Sequence, residues 1–135
     1  MFFDSSAFAK RYVDEPGSAA VEGLCHEASD LGLCVLCVPE IVSAMNRRVR
    51  ERRLARAEYA ALTRHLLDDV RDATIIDLVP QVVATCIDIL EASPVRAADA
   101  LHVAAAREWK AGLFVSADRR QLAAARKAGL RVKAV

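Results

Sequence analysis

Short apolar runs alternate with longer amphipathic stretches along the whole chain, and this alternation restricts the fold more than any other feature. "MFFD" reads as a strand and "SSAFAKRYV" as a helix behind a serine cap, stopped by the turn chemistry of "DEPGS". "AAVEGLCHEA" is helical, "LCVLCV" a buried strand, and "PEIVSAMNRRVRERR" a helix with Pro39 near its first position, where a missing N–H does no harm. "RAEYAALTRHLLDDVRDA", "TIIDL", "PQVVATCIDILEAS" and "SPVRAADALHVAAAREWK" follow as helix, strand, helix and helix, the last run ended by Gly112. "LFVSA" is a strand, "DRRQLAAARKA" a helix closed by Gly129, and "LRVKAV" a final strand. The pattern predicts the α/β class, with a central, mostly parallel sheet flanked on both faces by helices.

The chain of 135 residues is long enough for one domain with a substantial core, and 54% hydrophobic with 27% charged residues is a globular balance. Its apolar runs are broken by charge before membrane-spanning length, and "MFFDSS" lacks the basic start and apolar stretch of a signal peptide. These features predict a cytoplasmic protein without a membrane partner. A net charge of +1 announces no nucleic-acid binder, yet "NRRVRERRLAR" gathers six arginines around one glutamate. Such a run serves either as a solvated helix face or as a phosphate-binding surface. Of the four cysteines, Cys34 and Cys37 form a CxxC pair inside "LCVLCV". In a strand, positions i and i+3 point to opposite faces, and no second pair completes a zinc site, so buried thiols are expected.

Acids stand where such a sheet presents ligand sites, at the carboxyl ends of its strands. Asp4 closes the first strand, Glu40 follows "LCVLCV", and Asp118 follows "LFVS". Each has a local alternative: Asp4 and Asp118 as helix caps, Glu40 as a complement to its helix dipole. Asp99 is harder to place. At about 100° per residue, Val95, Ala98, Leu101, Ala105, Ala106 and Trp109 share one side of a helix with His102, and Asp99 lies toward its edge. A carboxylate against a core needs a cation, a metal or several donors, although His102 at i+3 is also a local partner. Four acids gathered at one sheet edge would repel, and a hard divalent cation, Mg²⁺ or Mn²⁺, removes the conflict. Such a set suits phosphodiester hydrolysis.

In order and spacing, "FFDSSAFAKRYVDEPGS", "VPEIVSAMNRR", "VRAADALHVAAA" and "VSADRRQLAAA" resemble the motifs of PIN-domain ribonucleases, most closely the VapC-like toxins of bacterial toxin-antitoxin pairs. The resemblance spans nearly the whole chain and implies a single PIN-like nuclease domain over residues 1–135. It implies a catalytic, metal-holding set of Asp4, Glu40, Asp99 and Asp118, with Ser6 and Ser116 as hydroxyl partners and His102 packed beside the site. It also implies endonucleolytic cleavage of RNA with Mg²⁺ or Mn²⁺, a homodimer, and a cognate antitoxin covering the groove, and it gives the arginine run, with Arg47 and Arg48, the role of an RNA phosphate contact or of a subunit or antitoxin interface.

Three other readings stand beside this one: a PIN nuclease of RNA maturation, a non-catalytic interaction module and a Mg²⁺-binding signalling domain. A phosphoacceptor receiver would place two adjacent acids after its first strand, where Asp4 is followed by two serines. A phosphatase of the haloacid dehalogenase type would carry an aspartate where Ser6 stands.

Overall fold

Pairing in a computed structural model that describes residues 1–135 is parallel throughout. The strands are β1 (Phe2–Phe3), β2 (Gly32–Cys34), β3 (Thr74–Ile76), β4 (Phe114–Ser116) and β5 (Val132–Ala134), in the order β3-β2-β1-β4-β5. Helices α1 (Ser5–Phe8), α2 (Ser18–Glu27), α3 (Cys37–Arg50) and α4 (Arg56–Arg71) come from the first half of the chain. Helices α5 (Pro80–Ala92), α6 (Ala97–Glu108) and α7 (Arg119–Lys127) come from the second, and a 3-10 turn at Ala9–Arg11 extends α1. The expected α/β layering is therefore present.

The first strand is central, and successive side chains of a strand point to opposite faces. Phe2 accordingly enters a core shared with α5, α6 and α7, where its ring lies 5.8 Å from that of Phe114 and 6.3 Å from that of Trp109. Phe3 enters the opposite core with Phe8, Tyr12, Leu33, Ile41, Met45 and Leu66. Both phenylalanines are fully buried.

Several boundaries differ from the sequence reading. "LCVLCV" is a strand only as far as Cys34, and α3 begins at Cys37. The first four N–H groups of a helix need no partner within it, so Pro39 is accommodated as the third helical residue. Cys34 and Cys37 thus flank a turn, one in each core, and all four cysteines are free. Helix α3 stops at Arg50, Arg52 turns the chain with φ 56°, and α4 opens at Arg56, so the arginine run spans two helices and their connection. Helix α1 is capped by Asp4, whose carboxylate accepts from Ala7 N–H. The last turn of α6 is followed by Lys110 at φ 59°, ahead of Gly112, with Ala111 N–H reaching back to the Ala106 carbonyl at 2.9 Å.

The expected apolar stripe on α6 is too narrow. Ala100, Val103 and Ala104, outside it, are fully buried together with Ala105 and Ala106. The helix lies between the sheet and α5, and its alanines allow close approach on more than one side.

A methyl group added at Gly32 would lie 2.7 Å from Cζ3 of Trp109, the only tryptophan of the chain. Gly32→Ala is expected to cost about 1–3 kcal/mol by forcing that ring aside. Gly23→Ala in α2, where the new methyl meets nothing within 4 Å, is expected to stabilise by about 0.5–1 kcal/mol. Urea titrations followed by tryptophan emission separate the two; equal midpoints would contradict the Trp109 packing.

Candidate active site

The carboxyl edge of the sheet is built first by β1 and β4. Asp4 directly follows β1, and its backbone N–H bonds the Val115 carbonyl at 3.0 Å. Its side chain is only 4% exposed. Oδ1 accepts from Ala7 N–H at 2.9 Å, and the Ser6 hydroxyl lies 2.9 and 2.8 Å from the two oxygens. Burial pushes this carboxyl above its ordinary range, outweighing the hydrogen bonds from Ala7 and Ser6 that favour its charge. No lysine or arginine pairs with Asp4.

Ser6 carries the edge across to β4. Its Oγ accepts from Ala117 N–H at 3.1 Å and lies 3.4 Å from Ser116 Oγ. Ser116, fully buried, accepts from Asp118 N–H at 2.9 Å and donates to Gln121 Oε1 at 2.8 Å. The amide of Gln121 in turn donates to the backbone carbonyl of Asp99 at 3.2 Å, tying α7 to the start of α6. Asp118 is exposed and caps α7, Oδ1 accepting from Arg120 N–H at 2.7 Å and Gln121 N–H at 3.2 Å. The capping readings of Asp4 and Asp118 both hold, and each cap also stands at a strand end.

Glu40 and Asp99 are held differently. Glu40, in the first turn of α3, has a 38% exposed side chain. Its Oε2 accepts from the Ser5 hydroxyl and lies 2.8 Å from Nε2 of His102. Partial burial raises this carboxyl, but the bonds from His102 and Ser5 outweigh it and leave the group below its usual range. His102 is 2% exposed, and its Nδ1 is buried without a partner. The imidazole therefore does not pair with Asp99, its local partner at i+3; it bonds Glu40. Asp99 is half-buried in the first turn of α6, and its Oδ2 meets only Arg96 N–H, at a long 3.4 Å.

The four acids thus share one sheet edge, and a hydrogen-bond chain links the segments bearing Asp4, Asp99 and Asp118. Their carboxylates do not converge: no group of three or more His, Cys, Asp and Glu side chains stands ready around one point to hold a metal ion. Ser5, Gln121 and the His102 to Glu40 contact were missed in the sequence. For Gln121, the position three residues after a capping Asp118 was a signal; for Ser5, the adjacent Ser6 drew the assignment. Arg47 and Arg48 also part company. Arg47 lines an open cleft with Glu40, whereas Arg48 borders a small pocket with Tyr12, Val13, Ile41 and Met45.

The PIN domain family model matches residues 1–127. The chain belongs to the PIN domain family. Solved structures share the fold of this PIN domain at low identity. FitAcB from Neisseria gonorrhoeae is 17% identical, with 97% of this chain and 94% of that chain covered and a TM-score of 0.71. VapC20 from Mycobacterium tuberculosis, described as a sarcin-ricin loop cleaving toxin, is 15% identical over 91% and 93% of the two chains, with a TM-score of 0.70. VapBC2 from Rickettsia felis, bound to a DNA fragment from its promoter, is 10% identical over 100% and 99%, with a TM-score of 0.72. A search of curated proteins finds no match.

The raised carboxyl of Asp4 has a thermodynamic consequence. A group that holds its proton more tightly when folded makes the native state lose stability as pH rises through the raised value. Asp4→Asn keeps an acceptor for Ala7 N–H and removes the buried charge. Melts in EDTA at neutral pH are expected to show Tm a few degrees above wild type, with the gap closing as pH falls toward the ordinary carboxyl value of 3.8. A lower Tm for the variant throughout would contradict the desolvation account.

Proposed function

We propose that this PIN domain, residues 1–135, is a metal-dependent endoribonuclease and the toxin of a toxin-antitoxin pair. The observation that carries the proposal is Asp4: a desolvated carboxylate at the end of the central strand, with donors but no lysine or arginine against it. Such a group suits a hard divalent ion, and the oxygen donors along this edge suit Mg²⁺ or Mn²⁺ better than a thiophilic metal. Asp4, Asp99, Asp118 and Glu40, which do not stand ready around one point, would have to draw together to hold the ion, with Ser6 and Ser116 supporting. When bound, such an ion supplies Lewis-acid stabilisation of charge at phosphorus and a more acidic water.

The residues of the chain have separable tasks. Ser6 and Ala7 N–H fix the Asp4 carboxylate, and Ser116 with Gln121 holds the turn that presents Asp118. His102 and Ser5 occupy Oε2 of Glu40 and favour its ionised form, which suits it to orient a water through Oε1. In hydrolysis that water's oxygen would bond to phosphorus, its proton would pass to Glu40, and the ester bond to the ribose oxygen would break with that oxygen taking a proton from solvent.

The toxin assignment draws on the four motifs and on neighbours whose names describe a toxin and toxin-antitoxin complexes, and it entails a cognate antitoxin. A homodimer fits Val79, Val83, Ile87 and Leu90, an exposed apolar stripe at helical spacing on and just before α5, which a second copy would cover. No helix is long and apolar enough to cross a membrane. Four free cysteines fit a reducing compartment, and we place the protein in the cytoplasm.

Purified protein freed of antitoxin should yield discrete products from a cellular RNA pool with Mg²⁺ or Mn²⁺ and none with chelator. Asp4→Asn and Asp99→Asn should each lower the rate by about 100-fold or more with far-UV circular dichroism unchanged. Full activity in both folded variants would sink the site assignment. Ile87→Glu should turn the dimer into a monomer in sedimentation experiments, and an unchanged mass would move the interface off α5.

A further inference from the structure

Beside Glu40 the surface opens into a cleft of about 560 Å³, lined by Leu36, Pro39, Glu40, Ser43, Ala44, Arg47 and Arg50. Glu40, Ser43, Arg47 and Arg50 are spaced three, four and three residues apart on α3, so they follow one side of the helix. At about 1.5 Å per residue, Arg47 and Arg50 stand roughly 10 and 15 Å along the axis from Glu40. Both are exposed, and neither pairs with a carboxylate. Arg11, Arg53 and Arg71, by contrast, each have an acidic partner.

Arg48 lies outside this row. It is half-buried and borders an apolar pocket of about 70 Å³ with Ala9, Tyr12, Val13, Ile41, Ala44 and Met45. Arg52 and Arg53 fall in the turn after α3, and Arg53 is engaged by Glu51 at 3.6 Å. The run of six arginines is thereby divided by the fold, and only two of its members share the cleft wall with a candidate site acid.

We propose that Arg47 and Arg50, with Ser43 between them and Glu40, form a phosphate-binding track that holds single-stranded RNA along α3 and delivers its backbone to the sheet edge. This rests on the nuclease reading of the same edge. Three features favour a nucleic-acid backbone here. The cations are unpaired, so no protein carboxylate must be displaced. They stand in line, which suits phosphates repeated along a strand. The row also ends at Glu40, so a strand lying on it reaches the acids without crossing the apolar pocket beside Arg48. Arginine suits the task because its planar guanidinium can grip a phosphate with two parallel bonds.

Binding and cleavage are measured separately. Anisotropy of a fluorescein-labelled, randomised single-stranded RNA in EDTA reads binding without turnover, and the salt dependence counts phosphate contacts. Arg47→Gln with Arg50→Gln should weaken binding about 10-fold or more at moderate salt, and lower the slope of log K against log salt by about 1.4, at about 0.7 per contact. Arg48→Gln should leave both unchanged. In cleavage assays with Mn²⁺, the double variant should raise KM with kcat within about twofold, because the track binds ground and transition states alike.

Equal RNA affinity in the double variant and wild type would overturn the track, as would an equal loss in Arg48→Gln. Arginine-dependent binding of a glutamate-rich peptide with no binding of RNA would likewise overturn it, in favour of a protein partner. Arginine-dependent RNA binding by a wild-type protein that cleaves nothing would uphold the track and remove the nuclease reading, which keeps the two failures apart.

Discussion

A central strand of only two residues governs this molecule. Phe2 and Phe3 pair with β2 on one side and β4 on the other, and their rings enter opposite cores. The backbone bonds around them run at 2.8 to 3.0 Å, from Phe2 N–H to Leu113, from Gly32 N–H to Met1 and from Asp4 N–H to Val115. Because the strand is so short, the residue after Phe3 already stands at the carboxyl edge of the sheet. Asp4 is thus buried by the same packing that anchors both layers, and it cannot be moved toward solvent without loosening one of them.

The electrostatics of the edge follow from that constraint. Asp4 sits deep among backbone and hydroxyl donors, and its burial raises the carboxyl above its ordinary range. Glu40 stands farther out, where Ser5 and His102 draw its proton off. Two carboxyls pushed in opposite directions by their surroundings are the pattern that separates roles in one site, and the proposed mechanism gives Glu40 the water and Asp4 the cation. His102 gives this contact a structural side as well. It reaches from α6, in the Phe2 layer, to a glutamate on α3, in the Phe3 layer, so one hydrogen bond at 2.8 Å joins the two layers at the edge.

Much of the architecture was legible because it rests on local chemistry. Strand and helix periods, Pro39 and the turn at Gly129 depend on nearest neighbours, and the elements they mark are present. The misplaced boundaries have tertiary causes. "LCVLCV" spans two elements: apolar residues continue past Cys34 because Cys37 opens a helix buried in the other layer. Helix α6 defeated a stripe reading because it has neighbours on more than one side, and alanine satisfies each of them.

The order of the motifs and the acids at strand ends, Asp4, Glu40 and Asp118, were readable from sequence alone, since a strand's end and a helix's start lie within a few residues of each other. The same holds for the capping bonds of Asp4 and Asp118, which span two or three residues. What pairs with what across the sheet was not readable. His102 is three residues from Asp99 and 62 from Glu40, yet it bonds Glu40. Arg47 and Arg48 are adjacent in the chain, yet one step of a helix turns them by about 100° into separate clefts. Local sequence sets each side chain's direction on its own element. Only the packing of elements against one another decides which group it meets there.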